Sequence, residues 1–194
     1  MFDAFTLRLL GYISSVVWLF PPVRQYKTRV FWFFLILALT DPIALTLGRQ
    51  LGVFTTQFYI ISFTLLPISL SPLKKVNRKN IIFVVLLFAT GILTLIFPWH
   101  LSSLYYCIIS VLLLLIFLKI IFSIIAETGK LNLFYMVLIM YQSSMLLRSF
   151  MFLINLTTGL TYGGITVLFQ IIIAIFFSIF KEDDPRLLIN LRKE

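Results

Sequence analysis

Seven apolar runs alternate with short polar breaks along the chain, at about 5–20, 30–47, 56–70, 81–97, 104–126, 132–156 and 165–180. Each approaches the ~17–25 residues that a helix needs to cross a ~30 Å hydrocarbon core. The first is the shortest and carries Arg8. Pro21-Pro22 is expected to end it, because proline cannot continue the helical hydrogen-bond ladder. Pro67 lies near the end of the third run, and Pro98-Trp99-His100 closes the fourth. Glu127-Thr128-Gly129-Lys130 is expected to form a turn. The uncharged segment TTGLTYGG separates the last two runs. The tail KEDDPRLLINLRKE reads equally as a short helix on the membrane face or as a frayed end. Short breaks make sequential helices antiparallel neighbours. The predicted fold class is therefore all-α: a polytopic transmembrane bundle of seven helices forming one integral membrane domain over 1–194. Six spans, with the first run lying in the interface, is the alternative. No loop is long enough for a module of its own, so any site must lie between helices.

Composition supports lipid as part of the solvent. The chain is 61% hydrophobic and 12% charged, against ~45–50% and ~25% for soluble domains. Mean hydropathy is +1.07. The net charge of +9 does not point to nucleic acid, because the basic residues sit in short loops between apolar runs. The breaks after the first, third and fifth runs, with the tail, hold Arg24, Lys27, Arg29, Lys74, Lys75, Arg78, Lys79, Lys130, Lys181, Arg186, Arg192 and Lys193. The opposite side has Arg8 and Arg49. The positive-inside rule then sets the N-terminus outside and the C-terminus in the cytoplasm. The expected location is a cell or inner membrane, multi-pass, with anionic headgroups as secondary partners of the basic loops. The first run shows no cleavage pattern before Pro21 and is expected to remain.

Catalytic chemistry finds little to work with. Cys107 is the one cysteine and His100 the one histidine. They make no disulfide, structural zinc site or bis-histidine haem site. No paired-carboxylate site, nucleophile elbow, Walker loop, HExxH or CxxC is present. No cofactor and no enzymatic activity are expected.

Asp41-Pro42 is the exception to the apolar pattern. Asp41 falls about 11 residues into the second span, ~16 Å along the helix axis. An ionisable group near the midplane costs at least ~2.5–3.5 kcal/mol on insertion scales, so it should face the bundle interior. Pro42 removes an amide donor and should bend the helix, acting as a hinge. Arg148, on the sixth span, is the natural partner: its long side chain leans toward the helix N-terminus, down to the level of Asp41. Gln142, on the same span beside Ser143 and Ser144, and Gln170, on the seventh, complete the candidate polar centre. Asp41, Gln142, Arg148 and Gln170 are the expected substrate-binding residues, with Pro21, Pro22 and Pro42 as hinges. Ordinary interhelical bonding is the structural alternative for Gln142 and the serines.

The segments 12–49 and 111–148 share a pattern. Each has a helix, a basic turn, a second helix entered through aromatics, and a closing Leu-Arg. Two triplets, 5–70 and 104–180, joined by a linker helix at 81–97, would follow. PPVRQYKTR, from Pro21 to Arg29, resembles the PQ-loop signature, and the three-plus-one-plus-three arrangement is similar to the SWEET-type transporters. Pro22-Val23-Arg24-Gln25 stands where that family has Pro-Gln, and Lys119 and Ile120 stand where its second repeat has proline. The resemblance implies transport of a small solute. Two functions are therefore expected as rivals: binding or transport of a small-molecule ligand through the polar centre, or a non-catalytic receptor or scaffold subunit. In the second case the apolar surface meets a partner membrane protein or a second copy as a homo-oligomer.

Overall fold

The computed structural model describes residues 3–50, 55–70, 85–92, 99–154 and 160–191. The basic loop bearing Lys74, Lys75, Arg78 and Lys79, most of the fourth predicted span, and Arg192 and Lys193 lie outside the described residues.

The described chain is mostly helical: α1 (Ala4–Val17), α2 (Phe20–Arg24), α3 (Phe31–Gln50), α4 (Thr55–Leu70), α5 (85–92), α6 (Trp99–Thr128), α7 (Leu133–Leu153) and α8 (Leu160–Ile179). Among the described residues, four stretches are long and apolar enough to cross a membrane: Phe5–Arg24, Ser102–Thr128, Leu133–Met151 and Tyr162–Ile179. Phe31–Ala44 and Phe58–Leu70 are apolar but shorter.

The burial pattern is compatible with a bundle in an apolar surround. On α8, Ile165, Leu168, Ile172, Ile175 and Ile179 are all exposed. Their spacing of three and four places them in one stripe. Ile108, Val111, Leu115 and Phe122 form the same kind of stripe on α6. Ser14, Thr40, Ser62, Thr64, Ser102, Ser103 and Ser110 are buried instead. Water would penalise so much exposed aliphatic surface, whereas hydrocarbon does not.

α3 packs on α4, α6 on α7, α1 and α2 on α8, and α4 on α6. One end of the bundle, the basic end, collects α2, the start of α3, the end of α6, the start of α7 and the end of α8. An aromatic plug fills the bundle there. Phe34 meets Phe177 at 4.8 Å between ring centroids, Phe134 meets Phe177 at 4.9 Å, and Phe33 meets Phe117 at 5.4 Å. Trp18 caps this plug, with Tyr141 at 5.1 Å. Each aromatic pair adds ~0.5–1.5 kcal/mol beyond its area burial.

Several local expectations are corrected. Pro21-Pro22 does not end the first helical run. α1 breaks at Trp18-Leu19, and both prolines occupy the first turn of α2. That turn needs no amide donors from its first residues, so proline is accommodated there. The tail is neither a helix nor a frayed end. Pro185–Leu187 forms a 3₁₀ turn, and Leu188–Asn190 forms β2, antiparallel to β1 (Lys130–Asn132). Lys130 pairs with Asn190, and Asn132 with Leu188. α6 stops at Gly129, whose φ of 67° suits a residue without Cβ and whose N–H closes on Ile125 O at 2.8 Å. At the other end of the chain, Asp3 caps α1 by accepting from the Thr6 N–H at 2.8 Å. Hydrogen bonding from Thr6, by its hydroxyl first and its N–H second, holds the Asp3 carboxyl below the ordinary value.

Candidate functional site

A cavity of about 610 Å³ lies inside the bundle, bounded by α1, α3, α4, α6, α7 and α8. Asp41, Arg148 and Gln170, three of the four predicted polar residues, line it together. Arg8 lines it as well, contributed by α1. Arg8, Tyr12 and Arg148 are exposed and mark the open side, away from the basic end. Trp18 and Tyr141 form the floor, resting on the aromatic plug.

Asp41 is half-buried near the middle of α3. Its bonded partner is Tyr59, on α4, whose hydroxyl donates to Asp41 Oδ1 at 3.0 Å. Arg148 shares the cavity with Asp41, Tyr59 and Tyr141. The sequence reading did not single out Tyr59, but a signal was there. In an antiparallel α3–α4 hairpin, residues equidistant from the turn face each other. Residue 50, at the expected turn, is midway between Asp41 and Tyr59.

Gln142 is placed differently from the expectation. It is 2% exposed, points to α6 and donates to Ser110 O at 3.4 Å. It is therefore part of the α6–α7 seam and not of the cavity wall. Its neighbour Tyr141 takes the cavity position. Gln170 Nε2 lies 3.2 Å from Met145 Sδ, so the cavity side of α7 and α8 is tied by a weak acceptor. Pro42 sits within a helix that continues to Gln50. Thr46 Oγ1 donates to Pro42 O at 2.8 Å one turn later. Ser110 Oγ is fully buried and has no hydrogen-bond partner among the described residues. A buried orphan hydroxyl costs ~1–3 kcal/mol. Ser110→Ala is therefore expected to leave the thermal unfolding temperature unchanged or raise it. A fall of more than about 3 °C, roughly 1 kcal/mol at this chain length, would show that the hydroxyl has a partner.

The basic end is closed by side chains as well as rings. Gln25, the residue following α2, is fully buried. Its amide Nε2 donates to Phe177 O at 3.1 Å and to Phe180 O at 2.7 Å, and its Oε1 accepts from Glu182 N at 3.0 Å. Arg24 Nε donates to Ile179 O at 3.0 Å. The last carbonyls of a helix lack partners within it. Here the segment after α1 supplies them. Glu182 extends the junction: one carboxylate oxygen accepts from Arg29 N at 3.0 Å, and the other from the Tyr135 hydroxyl. Asn132 Nδ2 donates to Glu182 O at 3.2 Å while its Oδ1 caps α7 by accepting from Phe134 N. One hub thus joins α2, α7 and α8.

No protein-family model, no curated protein and no solved structure matches this chain.

Proposed function

We propose that this chain is a multi-pass membrane protein that binds a small solute between its helices and carries it across the bilayer, with the N-terminus outside and the C-terminus in the cytoplasm. The observation that supports this reading is the cavity holding Asp41, Arg148 and Gln170, open on one side and closed on the other by the Trp18–Phe34–Phe177 plug and the Gln25 hub. Its volume falls within the ~300–1,000 Å³ usual for small-molecule sites. A cavity accessible from one side only is one of the two end states of alternating access. The resemblance at Pro21–Arg29 agrees with this reading. No catalytic role is part of it.

The test is solute uptake into liposomes holding the purified protein alone, compared with empty liposomes. A second variant keeps the assay interpretable. Gly11 lines the cavity, and a Cβ built there meets no atom within 4 Å. Gly11→Phe should therefore fill the cavity without a clash and abolish uptake while the protein stays folded. Uptake unaffected by Gly11→Phe would contradict a route through this cavity.

A second reading rests on the hub itself. Hydrogen bonds from three segments seal the basic end, which suits a receptor or scaffold subunit that senses solute without passing it. That reading expects no uptake, together with a membrane partner protein that co-purifies in mild detergent.

A further inference from the structure

We infer that the cavity takes a small organic anion, its carboxylate or phosphate held at the Arg8–Arg148 rim and its apolar body lying on the Trp18–Tyr141 floor. The inference rests on the binding reading above and adds the chemistry of the occupant. Among the described residues, three ionic side chains line the cavity: Arg8 and Arg148 against Asp41. The lining is therefore net positive. α1, α4, α6 and α8 begin at the open end while α3 and α7 end there, so the helix dipoles partly offset one another, and the first turn of α6 enters the wall at Ser102 and Ser103. Helix N-termini favour negative charge. Guanidinium groups match the planar oxygens of carboxylate and phosphate.

The depth of the cavity sets the rest of the molecule. Arg8 lies ten residues before Trp18, which is ~15 Å along a helix. Between rim and floor the wall offers the faces of Tyr106 and Tyr141 and the hydroxyls of Ser14 and Ser15. Asp41, already accepting from Tyr59, stands part-way down and would receive a hydroxyl or amine of the occupant. A compact body with one anionic end fits these features. A cation would meet Arg8 and Arg148 before reaching the Asp41 carboxylate.

A matched set of probes tests this. Phenylacetate, phenylacetamide and 2-phenylethylamine share one aromatic body and differ in head charge. Cys107 is the only thiol and is buried, so its reaction with a fluorescent maleimide during heating reports unfolding. Phenylacetate is expected to raise the unfolding temperature saturably, by roughly 3–6 °C at tenfold excess over its Kd. The amide and the amine should do much less. Arg148→Met and Gly11→Phe should each abolish the rise, and the exposed Lys119→Met should keep it. Stabilisation by the amine, lost in Asp41→Asn, would overturn the anion assignment while leaving the cavity a binding site. No rise with phenylacetate, or an equal rise in Arg148→Met, would also overturn it. A lipid headgroup carries the same anionic oxygens. In nanodiscs of phosphatidylcholine the phenylacetate effect should persist, and added phosphatidylglycerol should not remove it. Its removal would assign the rim to a lipid and overturn the soluble occupant.

Discussion

Gln25→Ala is expected to cost a large part of the stability of this chain. The side chain is fully buried and makes three hydrogen bonds, to the last turn of α8 and the residues just after it. Truncation leaves the carbonyls of Phe177 and Phe180 and the amide of Glu182 without those partners. Each buried polar group left unmade costs ~1–3 kcal/mol. Water could reach some of them at the basic end, so the expected total is about 3–5 kcal/mol. For a chain of this length that is a fall of roughly 10 °C or more in the unfolding temperature. Gln25→Glu should not rescue it, because a carboxylate has no donor for the two carbonyls. The Cys107 maleimide readout measures the effect directly. If Gln25→Ala unfolds within about 3 °C of the parent, the hub does not hold the basic end together.

Asp41→Asn should separate activity from stability. Removing the charge lifts the ~2.5–3.5 kcal/mol cost of an ionised group at that depth. The Tyr59 hydroxyl can still donate to the amide oxygen, so the α3–α4 contact survives. The variant is expected to unfold at the same temperature as the parent or a higher one. Solute handling should move the other way. A hydrogen bond to a charged group is worth ~1.5–3 kcal/mol, so binding and uptake should weaken by roughly 10–100-fold. Tyr59→Phe, which only frees Asp41 from one donor, should have a smaller effect on uptake. Loss of stability together with loss of uptake in Asp41→Asn would mark the aspartate as a structural brace. Retained uptake would remove it from the site.

What the sequence disclosed follows from the range of the interactions involved. Apolar runs report apolar helices one residue at a time, so the runs at 104–126, 132–156 and 165–180 reappear as α6, α7 and α8. Asp41, Arg148 and Gln170 stood out because ionic and amide groups are costly among Leu, Ile and Phe, and they converge on one cavity. Gln142 is just as conspicuous in the sequence, yet it faces α6. A residue one position away on a helix turns by about 100°, and the rotation of α7 is set by packing that no local pattern records. Gln25 and Glu182 are 157 positions apart, and their bond depends on how α2 meets the end of α8. The strand at Leu188–Asn190 was hidden for the same reason, since its partner is the three-residue segment after Gly129. Pro21 and Pro22 read locally as a stop, yet the helix break falls earlier, at Trp18-Leu19, where nothing in the local sequence demands it.

The most direct test of a cavity that opens outward above a sealed floor is the reactivity of one introduced thiol. In a Cys107→Ser background, Gly11→Cys puts a sulfur on the cavity wall, and Phe177→Cys puts one in the plug. A membrane-impermeant maleimide added outside intact cells should label Gly11→Cys and leave Phe177→Cys unreacted. Labelling of Gly11→Cys only from the cytoplasmic face, or from neither face, would contradict the account.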